Sequence, residues 1–162
     1  MTTGFDRASG YLTEKGYADR IQVFTESTAT VALAAQQVGC EEALIAKSLS
    51  FYDQDGGSIV IVAAGDAKVD NKGFKEQFGF KAKMLRGEDV EALTGYQPGG
   101  VCPFALPETA SVYLDASLNR FEMVYPACGD AASAVGLTIP ELAEVSGALA
   151  TVDVCKGWRE EA

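Results

Sequence analysis

The sequence predicts an α+β fold, a mixed and largely antiparallel β-sheet with short helices packed around it. Three observations lead there. Apolar stretches of strand length alternate along the chain with short stretches of helical period. Two strand-like stretches, 43–52 and 58–64, are joined by Asp53-Gln54-Asp55-Gly56-Gly57, in which Asp55-Gly56 is a good hairpin signal. The helical stretches are short, and glycine closes several of them.

In chain order, residues 4–17 read as a short helix ending near Gly16. Ile21-Gln22-Val23-Phe24 alternates and reads as a strand. Ser27 or Thr28 can N-cap a helix that carries Val31, Leu33, Ala34, Ala35 and Val38 and stops at Gly39. The hairpin 43–64 follows. Asn71 to Phe78 reads as a helix closed by Gly79, and Gly87-Glu88-Asp89 opens another that runs to Thr94. Strands are expected at 111–115, 120–125 and 134–138. Pro140 sits in the first turn of a helix of about seven residues. Val152 to Cys155 is a last strand or the end of the fold. No repeat, low-complexity tract or linker interrupts the 162 residues, which read as one domain.

Composition excludes several classes. No apolar run approaches the roughly 18–20 residues needed to cross a bilayer. The start of the chain, Met1 to Arg7, lacks a basic region leading into an apolar stretch, so no signal peptide is expected. Cys40, Cys102, Cys128 and Cys155 are widely spaced and there is no histidine, which argues against a structural zinc site and for free thiols in a reducing cytoplasm. Without histidine, Ser-His-Asp and Cys-His devices are impossible. An enzyme built from this chain must use lysine, carboxylates, backbone dipoles or the substrate's own groups. The net charge of −10 opposes broad nucleic-acid binding. Residues 67–87 run against that sum, with Lys68, Lys72, Lys75, Lys81, Lys83 and Arg86 against Asp70 and Glu76. This segment is either a patch for an RNA end or a solvated helix face.

Two features carry candidate chemistry. The first is Thr94-Gly95-Tyr96-Gln97-Pro98-Gly99-Gly100-Val101-Cys102-Pro103-Phe104. Its glycines and prolines make a shaped loop, in which the N–H groups of Gly99, Gly100 and Val101 are expected to be free for a carbonyl oxygen or an anion. The same residues also suit a plain turn. The second is Lys47. Ala43, Ile45, Lys47, Leu49 and Phe51 share one face of a strand, so a lysine stands in an apolar stripe. It points into the interior or a pocket, or else snorkels to the sheet edge. Asp115, at the end of a strand, is expected to cap the turn at Ser117-Leu118. Trp158 and the tail Arg159-Glu160-Glu161 read as a surface end.

Thr-Gly-Tyr-x-x-Gly-Gly-x-x-Pro resembles the signature loop of the YbaK/prolyl-tRNA editing-domain family of aminoacyl-tRNA deacylases. Thr25 to Leu49 is similar to the family's opening helix and first core strand, with its lysine in Ala46-Lys47-Ser48-Leu49. Val112 to Asp115 and Ala127-Cys128-Gly129 are similar to the later strand and the glycine turn near the pocket. The likeness spans roughly 20–150 and implies a curved sheet wrapped by helices. It implies a free-standing hydrolase that removes a small amino acid, such as cysteine or alanine, from proline tRNA without metal or cofactor. Carried onto this chain, it implies a catalytic set of Lys47, Gly99, Gly100 and Val101. Cys102, Pro103, Tyr125, Cys128 and Gly129 would line the substrate pocket, and Lys68 and Lys72 would contact the tRNA acceptor end. Prolyl-tRNA synthetase is a further implied partner. Cys102 and Cys128 are expected to line the pocket and not to act as nucleophiles, since the chain has no histidine to activate a thiol. The alternatives are a module of the same fold that binds tRNA or a small carboxylate without turnover, and a hydrolase of another ester or amide.

Overall fold

The computed structural model describes residues 3–159. Its elements are α1 (Gly4–Glu14), β1 (Ile21–Val23), α2 (Val31–Val38), β2 (Ile45–Tyr52), β3 (Ser58–Ala64), β4 (Lys68–Val69), α3 (Asn71–Phe78) and α4 (Gly87–Thr94). There follow β5 (Ala110–Asp115), β6 (Met123–Pro126), β7 (Ser133–Val135), β8 (Leu137–Thr138), α5 (Ile139–Ser146), β9 (Ala150–Val152) and β10 (Cys155–Lys156). Six strands make one curled sheet in the order β8-β6-β2-β3-β5-β9. Two small ribbons, β1 with β7 and β4 with β10, lie beside it.

The sheet is mixed. The β2–β3 hairpin pairs antiparallel from Tyr52↔Ser58 to Ala46↔Ala64, as Asp55-Gly56 suggested. The β6–β8 pair and both ribbons are also antiparallel, while β2–β6, β3–β5 and β5–β9 are parallel. Every residue of β3 is buried, because both faces of the sheet are covered. On one face Val60, Val62 and Ala64 pack with Leu12 of α1, Leu142 of α5, Tyr96 and Phe104. On the other, Ile59, Ile61 and Ala63 pack with Phe51, Phe74 and Val154, with Phe78, Phe80 and Trp158 against them. Each such Val, Ile or Phe removed from water stabilises the fold by about 1.5–3 kcal/mol before entropy is charged.

Several boundaries differ from the sequence reading for local reasons. The N-cap of α2 is Thr30, whose side chain accepts from Leu33 N–H. Ser27 instead caps a turn by accepting from Ala29 N–H, and Thr28 N–H is taken by Ala131 O. The stretch 134–138 is two strands, with β7 pairing β1 and β8 pairing β6 on either side of Gly136. Residues 116–120 form a 3-10 turn, so β6 starts at Met123. The two-residue β4 carries no local signal and is not expected, and in place of a last strand over Val152 to Cys155 there are two, β9 ending at Val152 and β10 starting at Cys155. Asp115 is a buried cap: its carboxylate accepts from Ser117 N–H at 2.9 Å and from Val154 N–H at 3.0 Å. Trp158 is not a free surface end but packs half-buried on the second core; Glu160 and Glu161 lie outside the described residues.

Candidate active site

The side of β2 that faces β6 is only partly covered. Pairing with β6 stops at Ala46↔Pro126. Further along, Leu85 N–H donates to Ser50 O, and Tyr52 N–H donates to Lys83 O. Backbone groups of even-numbered β2 residues therefore point to this edge, and the uncovered stretch centres on Ser48. A cleft of about 350 Å³ opens here. Its walls are the start of α2 with the preceding Thr28 and Ala29, residues 45–50 of β2, Met84-Leu85, the Pro98-Gly99 turn with Val101, and Tyr125.

The Gly loop is held from behind. Tyr96 is buried, its hydroxyl donates to Phe104 O, and Arg7 stacks on its ring at 4.6 Å while donating to Gly95 O. Gln97 to Gly100 forms a β-turn with Pro98 and Gly99 at its centre. Gly99 has φ +88°, which glycine adopts without cost in the third position of a type II turn. Gly100 N–H donates to Gln97 O at 2.9 Å. The expectation of a free donor at Gly100 is thus corrected: the turn consumes it. Gly100 is buried because the backbone of Asp130 lies so close that a Cβ would sit 2.8 Å from its Cα. Gly99 and Val101 line the cleft, and neither N–H has an acceptor among the described residues.

Lys47 lines the cleft from the face of β2 that also carries Leu49 and Phe51. Its ammonium donates to Ala67 O and, at 3.4 Å, to Gly65 O. Burial pushes its pKa below that of a free lysine, with Lys68 adding to the fall and Cys155 and Asp66 opposing it. An ammonium has three donors, and two carbonyls leave one unused.

The other expected pocket residues divide. Tyr125 lines the cleft. Cys102 and Cys128 are fully buried in the first core, and burial pushes their thiols up to about 11 and about 12. Gly129 lies against the backbone of Gly4, and Pro103 lines a separate cavity next to Tyr11 and Leu106. Cys102 and Pro103 belong to the loop itself, and none of the four is among the residues that line the cleft. Lys68 in β4 and Lys72 in α3 are exposed and lie outside the cleft lining. The basic segment reaches the cleft at its far end, through Met84 and Leu85.

Two cleft residues were missed. The Thr28 and Ser48 hydroxyls are buried and have no hydrogen-bond partner among the described residues. In the sequence Thr28 suits a cap and Ser48 a strand, and no signal marks either hydroxyl as unpaired.

A model of the aminoacyl-tRNA editing domain matches residues 25–145. The uncharacterized protein YwhH of Bacillus subtilis (strain 168) is 48% identical over 148 residues, which are 91% of this chain and 94% of that protein. An Enterococcus faecalis protein provisionally named Cys-tRNA(Pro)/Cys-tRNA(Cys) deacylase EbsC is 29% identical over 59% of this chain and 58% of its own length. A crystal structure provisionally described as a trans-editing enzyme for prolyl tRNA synthetase superposes with TM-score 0.85 at 28% identity, over 97% of this chain and 99% of the other. The structure of the hypothetical protein APE2540 gives TM-score 0.77 at 32% identity, over 89% and 99%. With the lysine strand and the Gly loop joined in one cleft, and with a family model spanning most of the sequence, the chain belongs to the aminoacyl-tRNA editing domain family.

Proposed function

We propose that this protein hydrolyses mischarged aminoacyl-tRNA in trans, releasing a small amino acid such as cysteine or alanine from proline tRNA. The observation that carries this reading is that Gly99 and Val101, whose N–H groups have no acceptor among the described residues, line the same cleft as Lys47. The acceptor end enters the cleft with its ester carbonyl on those two donors. Water forms the new bond to the acyl carbon, the bond to the ribose oxygen breaks, and that oxygen takes a proton. The oxyanion formed on the way is stabilised by about 2.7–4 kcal/mol per backbone donor. An aminoacyl ester is already activated, so placement and oxyanion stabilisation suffice without a side-chain base. The third donor of Lys47 takes a ribose or phosphate oxygen of the terminal nucleotide. Size alone separates amino acids weakly, about 1–3 kcal/mol per methylene. Selection therefore also draws on tRNA contacts from Lys68 and Lys72, in the cytoplasm and alongside prolyl-tRNA synthetase.

The reading is tested with proline tRNA charged with Ala, Cys, Ser or Pro. One mischarged species is expected to be hydrolysed, and Lys47→Ala to slow that hydrolysis by about tenfold or more. The second reading, binding without turnover, is favoured by one observation: the turn has already taken Gly100 N–H, which removes one of the three expected donors. Tight binding of the charged tRNA with no release from any of the four would establish that second reading.

A further inference from the structure

The turn that receives the Lys47 ammonium is itself clamped. Asp66 lies between Gly65 and Ala67, whose carbonyls accept from Lys47. Its carboxylate makes a two-pronged ion pair with Arg120, at 2.6 Å and 2.9 Å. Arg120 is fixed in turn: its Nε donates to Ser117 O at 2.9 Å, and its Nη1 donates to Trp158 O at 3.3 Å. Its guanidinium stands 4.7 Å from the Phe121 ring and 5.0 Å from the Trp158 ring. Trp158 Nε1 donates to Cys155 O, and β10 pairs Cys155 with Val69 and Lys156 with Lys68. The circuit closes, because β4 leaves the same turn.

We infer that Asp66, Arg120 and Trp158 are positioning residues for Lys47: the segment 155–158 locks the 65–67 turn, and the turn fixes where the ammonium can reach. A tail that merely docked would not need to converge, through Arg120 and Asp66, on the turn that accepts from Lys47. Two parallel guanidinium–carboxylate bonds stacked on aromatic rings hold geometry as well as charge. Asp66 and Arg120 lie inside the segment matched by the family model, and Cys155 and Trp158 lie beyond it. The titratable groups facing the ammonium are Asp66 in the turn, Lys68 on β4 and Cys155 on β10. Asp66 favours its protonated form, so loss of that carboxylate lowers the pH at which Lys47 titrates.

The inference rests on the editing reading only for its effect on turnover, so two readouts are taken. NMR of lysine Cε carbons, with Lys47→Arg to assign the signal, follows the Lys47 titration in the wild type, Asp66→Asn, Arg120→Lys and Trp158→Phe. Kinetics on the mischarged tRNA follow kcat and KM. Asp66→Asn is expected to move the Lys47 midpoint to lower pH and to cut kcat/KM by up to roughly 100-fold. Arg120→Lys keeps the charge but not the fork, and is expected to lower kcat/KM with a smaller change in the midpoint. A Lys47 midpoint unchanged in folded Asp66→Asn, with turnover intact, overturns the inference. If Asp66→Asn does not fold, unchanged midpoint and kinetics in both Arg120→Lys and Trp158→Phe overturn it instead. A midpoint shifted in Asp66→Asn, together with a wild type that shows no turnover, would keep the positioning role and reject the editing reading.

Discussion

At the scale of single residues, the unpaired hydroxyls of Thr28 and Ser48 mark a cost that the fold does not recover by itself. A buried hydroxyl without a partner costs about 1–3 kcal/mol. Thr28 is 8% exposed, its Oγ1 is shut off from water, and it borders the cleft. Thr28→Val replaces the hydroxyl by a methyl of similar volume, so it is expected to raise the unfolding free energy by about 1 kcal/mol, read from the urea midpoint. If substrate binding opens the cleft wall and a substrate group then completes the hydrogen bond, the same variant also raises KM. A gain in stability with unchanged kinetics would make Thr28 a packing residue only. Of the residues in the cleft, Lys47 was legible because a charge in an apolar stripe breaks a two-residue period. The hydroxyls were not, because Ser and Thr suit strands, caps and turns equally well, and only tertiary packing leaves one without a partner.

At the scale of elements, the Gly loop was legible as a loop but not as a set of donors. Pro98 and Gly99 spell a type II turn, and such a turn satisfies the N–H of its fourth residue, which here is Gly100. The two glycines therefore do different work, and substitution separates them. Gly99→Ala places a Cβ 3.5 Å from Ala29 Cβ, an ordinary contact, so its cost is the left-handed φ, about 1–2 kcal/mol. Gly100→Ala drives a Cβ onto Asp130 Cα at 2.8 Å, and the atoms it meets are backbone, which cannot swing aside. It is expected to cost about 1–3 kcal/mol by overpacking and to displace the loop from Asp130. Urea unfolding measures both. In folded protein Gly100→Ala should lose more turnover than Gly99→Ala, since it moves the Val101 donor. The reverse order would place the critical donor at Gly99. Cys102, Cys128 and Gly129 illustrate the same limit of sequence reading. The family resemblance implied a pocket lining, whereas Cys102 and Cys128 are buried in the first core and none of the three lines the cleft.

At the scale of the whole molecule, local patterning recovered the β2–β3 hairpin and most helices, because caps, stops and the Asp-Gly turn act within a few residues. It did not recover β4, β9 or the return of the C-terminal segment onto β4. Those pairings join residues far apart in sequence, and a strand of two or three residues carries no period. The charge distribution is a property of this same scale. A chain of net charge −10 repels nucleic acid except where residues 67–87 present their cations, and the Met84-Leu85 end of that segment walls the cleft. If Lys68 and Lys72 touch the acceptor end, each releases counterions on binding. The slope of log affinity against log salt is then expected to fall in magnitude by about 0.7 for each lysine removed, as for a single strand. Binding of uncharged proline tRNA to the wild type and to the Lys68→Ala/Lys72→Ala pair, between roughly 50 and 200 mM salt, measures it. A parallel pair of salt lines would make these lysines a solvated face. The tRNA would then have to be held by the rim nearer Lys83 and Arg86, the other cations of the segment that runs into the cleft wall.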